Sequence, residues 1–151
     1  MSTNLQRGVT LVELVIVIAV LGITAATILG SVAAVAKAGG DNLAAQRAAR
    51  VGAGYLEEIL ARSFADPDGV VGETVRGAFD DARDYDGLND AGARDQRGLP
   101  LAGLEAFRIA VQVRPTNQLP GIPAVHALRI DVQVTDPTGA RTVVGGYLTQ
   151  R

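Results

Sequence analysis

The hydrophobic pattern changes character three times along the 151-residue chain. From Leu14 to Ala36 there is no charged side chain at all. At about 1.5 Å per residue this run is about 34 Å long as a helix, enough to cross a bilayer. A cleavable secretory signal has an apolar core of only about 7–15 residues behind a positive segment. Here the core is longer and Glu13 stands at its start, so a transmembrane helix is expected. Arg7 and the initial amine precede the run, while Lys37 and then Asp41 follow it. That balance favours a cytoplasmic N-terminus and an exported C-terminal part.

The second pattern is helical. From Leu43 to about Ser63, Ala44, Ala48, Val51, Tyr55 and Ile59 recur on one face, flanked by Leu56 and Leu60. Gln46, Arg47, Arg50, Glu57 and Arg62 take the other face, and Glu58 and Arg62 are four apart, within pairing reach. Gly39-Gly40 predicts a pause before this stretch, with Asp41 or Asn42 as its cap. Asp66-Pro67-Asp68-Gly69 predicts its end. Residues 66–103 are rich in Gly and Asp with few apolar anchors, and read as a long connection with one short helix near Thr74–Arg83.

The third pattern has period two. Phe107, Ile109, Val111 and Val113 alternate with Arg108, Ala110, Gln112 and Arg114. Leu128, Ile130, Val132 and Val134 alternate with Arg129, Asp131, Gln133 and Thr135. Thr142–Leu148 is a third strand, joined through the turn Asp136-Pro137-Thr138-Gly139. Each strand should turn one face to a core and one to solvent. The fold class is α+β: one long N-terminal helix packed on a small antiparallel sheet.

Charge narrows the function classes. Arg and Lys number 14 against 16 Asp and Glu, a net charge of −2. From Asp41 onward the balance is about −3, which speaks against nucleic-acid binding. There is no cysteine, hence no disulfide framework and no thiolate chemistry. His126 has no evident Ser or Asp partner, and no glycine pattern cradles a phosphate. No enzyme and no cofactor are expected.

Glu13 changes the picture most. A carboxylate at the edge of a membrane helix is either an interfacial residue reaching for headgroups or a functional group facing a partner. Its neighbours point to the second. A short leader ending in Arg7-Gly8 runs into Val9-Thr10-Leu11-Val12-Glu13-Leu14, with Ala19 and Gly22 beyond. This resembles the processing site of type IV prepilins and type II secretion pseudopilins. The resemblance implies cleavage by prepilin peptidase between Gly8 and Val9, N-methylation of Val9, and a role for Glu13 in subunit assembly. Two positions depart from the usual pattern: Val9 in place of an aromatic or Met, and Gly30 where major pilins carry Pro. Gly30 leaves room for a bend and leans towards a minor pilin or a pseudopilin.

A second stretch is more specific. Tyr55-Leu56-Glu57-Glu58-Ile59-Leu60, Phe64-Ala65-Asp66-Pro67-Asp68, Phe79-Asp80-Asp81 and Asp84-Tyr85-Asp86-Gly87-Leu88 are similar to the MshD-type minor pilins of mannose-sensitive haemagglutinin (MSHA) pili. The resemblances together imply a leader at 1–8 and a transmembrane and assembly stretch at 9–38. The head half of the helix then lies at 41–64, a variable connecting region at 65–103 and the antiparallel sheet at 104–151. They imply an inner-membrane protein with a periplasmic head before assembly, and other pilins, the peptidase and the assembly platform as partners. The alternatives are a type II secretion pseudopilin and, in another class, a membrane-anchored periplasmic binding domain. Asp84-Tyr85-Asp86-Gly87-Leu88-Asn89-Asp90 looks like part of a calcium loop, with Asp84, Asp86 and Asp90 as candidate ligands. The closing Glu of a full loop is missing, so a solvated acidic turn is the expected state.

Overall fold

The computed structural model describes residues 10–69 and 73–150. Its elements are a helix α1 (Leu11–Leu60) and four strands, β1 (Asn89–Ala91), β2 (Arg108–Pro115), β3 (Ala127–Thr135) and β4 (Arg141–Thr149). The strands form one sheet in the order β1-β2-β3-β4, and every neighbouring pair is antiparallel. This is the α+β architecture that the patterning predicts, and it matches the type IV pilin-like fold that the resemblance implies. The chain divides into two compact units, Met1–Gly40 and Asp41–Arg151.

In the first unit the described residues are helical from Leu11 onward, and all of their side chains are exposed. The expected pause at Gly39-Gly40 is absent. Both glycines lie within α1, and Asp41 and Asn42 are helical residues, not caps. Two glycines cost about 1 kcal/mol each relative to Ala, which a helix already propagating on both sides absorbs. Gly30 is likewise helical.

In the second unit the helical stripe closes the core. Ala48, Gly52, Tyr55, Glu58 and Ile59 are buried. Ile59 meets a cluster built from Ile109, Val111 and Val113 of β2 and Leu128, Ile130, Val132 and Val134 of β3. Alternation does what it should: the burial of β3 switches at every second residue from Leu128 to Thr135. Gly52 permits the closest approach of helix and sheet. A Cβ placed there would lie 2.8 Å from Val144 Cγ2 and 3.3 Å from Val134 Cγ2. Gly54, two residues on, has nothing within 4 Å. The pair makes a test. Gly54→Ala should stabilise by about 1 kcal/mol through helix propensity. Gly52→Ala should destabilise, because overpacking against two stiff β-branched side chains costs about 1–3 kcal/mol and exceeds the same gain. Thermal melts of the two variants should move in opposite directions.

The connection at 65–103 departs from expectation. It carries β1 and two 3-10 turns, Arg76–Ala78 and Arg83–Tyr85, in place of one short helix. It also contributes Phe79, Ala82, Tyr85 and Ala93 to the core. An internal ion network anchors it. The Arg76 guanidinium donates to Glu58 Oε2 at 2.9 Å and to Asp90 Oδ2 at 2.6 Å. It lies 4.4 Å from the Tyr55 ring centroid. The Tyr55 hydroxyl donates to Asp90 at 2.7 Å and the Tyr85 hydroxyl to Glu58 at 2.8 Å. Burial, the largest cause, raises both phenols, and Tyr85 is pushed up to about 12. Glu58 therefore does not pair with Arg62, as the four-residue spacing suggested. Arg62 turns its Nε to the Tyr85 hydroxyl at 3.3 Å.

Candidate functional site

The first turn of α1 is built by Thr10 and Glu13. The Glu13 N–H donates to Thr10 Oγ1 at 3.2 Å, and the Leu14 N–H donates to the Thr10 carbonyl at 3.1 Å. Thr10 is thus the N-cap and Glu13 the third helical residue, the Thr-x-x-Glu spacing of a capping box. Glu13 puts its carboxylate at the positive end of the helix, where a negative charge is favoured. The hydrophobic pattern hid this local role; the Thr-x-x-Glu signature would have revealed it. Gly8 and Val9, the expected cleavage and methylation positions, lie outside the described residues.

Beyond that turn the helix offers lipid-compatible chemistry. Leu14, Ile16, Ile18, Leu21, Ile28 and Leu29 are among many large apolar side chains left exposed. A soluble surface rarely leaves so much apolar area uncovered. The few polar side chains satisfy themselves. The Thr24 hydroxyl donates to the Leu21 carbonyl at 2.9 Å, Thr27 to that of Thr24 at 2.8 Å, and Ser31 to that of Thr27 at 2.9 Å. No hydroxyl in the run is left to demand water. By length and composition α1 can cross a membrane.

In the second unit, Asp84, Asp86 and Asp90 do not gather. Asp84 Oδ2 accepts the backbone N–H groups of Asp80 and Asp81. Asp86 Oδ1 accepts the Val113 N–H at 2.8 Å. Asp90 is held by Arg76 and Tyr55. His126 is exposed, with Nδ1 2.6 Å from Gln150 Oε1. The carboxylates that do meet are different ones. Asp66, Asp68 and Asp80 form one group, and Glu73, Asp80 and Asp84 another. Among the described residues, Glu73 Oε2 and Asp80 Oδ1 are shielded from solvent with no hydrogen-bond partner.

Crowding shows in the acidities. The Asp80 carboxyl is raised by burial and then by Asp68 and Asp66, and Glu73 is raised first by its hydrogen bond to Asp84. A carboxyl raised in the folded state favours folding most when protonated. That contribution is full below the ordinary carboxyl value of 3.8 for Asp80 and is lost as pH rises through the folded value. Asp80→Asn should therefore raise the melting temperature at pH 7. The gain should vanish when the melts are repeated below pH 3.8.

Comparison with known families matches the prokaryotic N-terminal methylation motif to residues 3–29. No curated protein and no solved structure matches the chain. The matched segment takes in residues 3–8, the Gly8–Val9 junction, the Thr10–Glu13 turn and the first part of the apolar run. It supports a type IV prepilin-like protein and points to a structural subunit rather than an enzyme. It implies processing by the peptidase and assembly with other pilins. With the exposed apolar helix, it fits a membrane-anchored pilin.

Proposed function

We propose that the chain is a minor pilin subunit of an MSHA-like type IV pilus. In this reading prepilin peptidase cuts between Gly8 and Val9, Val9 is N-methylated, and the head waits in the periplasm until the subunit enters a surface fibre or primes one. The methylation motif running directly into an apolar helix supports this most. Gly30 in the place of the major-pilin Pro, and the 55–88 stretch, support the minor and MSHA-like parts.

Glu13 has a physical reason to act in assembly. Cleavage leaves a charged amine on Val9 at the end of an apolar helix. Packed among other helices, that amine needs a partner, since leaving a buried charge unpaired costs about 3–5 kcal/mol. Glu13 of one subunit neutralises the Val9 amine of a neighbour and sets its register. Gly30 suits a type II secretion pseudopilin equally well. Shearing fibres from cells and identifying their subunits by mass spectrometry separates the readings. The pilus reading expects this chain in the sheared fraction at a small share of the major subunit. Recovery only in the membrane fraction, with secretion impaired when the chain is deleted, would favour the pseudopilin. Retention of an uncut N-terminus would favour the anchored binding domain.

A further inference from the structure

β1 is an edge strand, and among the described residues no strand pairs with its outer side. The Gly92 N–H donates to the Phe107 carbonyl and the Val111 N–H to the Leu88 carbonyl. Between these bonds, Asp90 faces Ile109 in the register. Asp90 therefore holds the hydrogen-bonded position of the antiparallel ladder. Asn89 and Ala91 on either side point their N–H and C=O groups away from β2. Beside that edge lies a cleft of about 560 Å³, lined by Val75, Arg76, Asn89, Ala91, Arg94 and Arg97 among others.

The cleft gathers three arginines in an acidic chain. Arg76, Arg94 and Arg97 face it, with Asp90 in its wall, Glu58 behind Arg76 and Asp95 beside Arg97. The three arginines differ in how far their charge is already met. Arg76 is saturated by Glu58 and Asp90. Arg94 spends NH1 on the Gly98 carbonyl and stands 3.8 Å from Asp90. Arg97 makes no side-chain ion pair among the described residues. Nearby Asp95 turns its Oδ1 to the backbone N–H groups of Arg97 and Leu99.

We infer that this cleft binds an extended peptide segment bearing a carboxylate, added as a further strand on the open side of β1 with its acid on Arg97. The main-chain groups of Asn89 and Ala91 supply the pairing, as in other strand-addition sites. Arg97 supplies a preference for acid, since its guanidinium can hold a carboxylate through two parallel bonds. The occupant is a partner protein's segment, and the inference goes beyond the fibre reading without depending on it.

Fluorescence anisotropy on the full chain in detergent micelles tests it. The probes are a fluorescein-labelled Glu-Val-Glu-Val-Glu peptide, its Gln-Val-Gln-Val-Gln counterpart, and the acidic peptide N-methylated at alternate residues. The acidic peptide should bind, and the Gln peptide should bind about tenfold or more weakly, as loss of a charged hydrogen bond implies. The N-methylated peptide should lose binding on the unmodified protein. Arg97→Glu should lose it too. Ala91→Pro removes an outward N–H that the β1–β2 ladder does not use, so it should lose binding while melting as the parent does. No binding of the acidic peptide, equal binding of all three peptides, or parental binding by Arg97→Glu would each overturn the inference.

Discussion

Arg76→Met is expected to destabilise the folded head by about 3–5 kcal/mol, the range for removing one partner of a buried ion pair. The size follows from what the substitution leaves behind. Glu58 and Asp90 are almost wholly shielded, and Arg76 is their shared cation. Met fills much of the same space, so the loss is of charge compensation rather than volume. The Tyr55 ring also loses the guanidinium stacked 4.4 Å from its centre. Urea unfolding followed by the near-ultraviolet tyrosine signal reads the effect. Glu58→Gln and Asp90→Asn added to Arg76→Met should recover part of the loss, because neutral amides tolerate burial better than unpaired carboxylates. A loss below about 1 kcal/mol, the range of an exposed pair, would mean that the network does not hold the 65–103 segment to the helix.

Glu13→Gln should nearly abolish incorporation into fibres while leaving the chain in the membrane at its normal level. Gln keeps the length and the helix-terminal position of the side chain and removes only its charge. It therefore separates the helix-terminal position seen in the structure from the proposed pairing with a neighbouring subunit. As a first-turn acid at the end of α1, Glu13 contributes about 0.3–1 kcal/mol to the helix. As the proposed partner for a neighbour's amine, it would offset several times that amount. Co-expressing tagged Glu13→Gln with the parent chain and comparing their ratio in sheared fibres and in membranes gives the readout. Equal ratios in the two fractions would remove the pairing role and leave Glu13 as a first-turn acid of α1.

What could be read from sequence follows the physics of each segment. β2, β3 and β4 were legible because one face of each is apolar at every second residue, and only one register buries that face. The head half of α1 was legible for the same reason at helical period. β1 was not: Asn89-Asp90-Ala91 has no apolar member except Ala, and its inward residue is a carboxylate. The Arg76 network was invisible for a related reason. Hydropathy places Arg, Glu and Asp outside, and nothing local links Glu58 to Arg76 and Asp90 across the fold. Gly39-Gly40 suggests a pause that does not occur, because glycine weakens a helix without ending it unless a competing structure is available. The Thr10–Glu13 turn is written in four consecutive residues, a Thr-x-x-Glu spacing that hydropathy does not register. Asp84, Asp86 and Asp90 were grouped by spacing, yet the 3-10 turn at Arg83–Tyr85 and the entry into β1 send them to three different partners.

If the chain is cut and modified at the start of its apolar helix, as proposed, the mass of the mature protein shows both changes at once. The chain purified from the membrane of cells expressing prepilin peptidase should lack residues 1–8 and carry one methyl group on the Val9 amine. A Gly8 variant that blocks the peptidase should keep the whole leader. A mature chain that retains Met1 in the presence of the peptidase, or that begins at Val9 without the methyl group, would contradict the proposal.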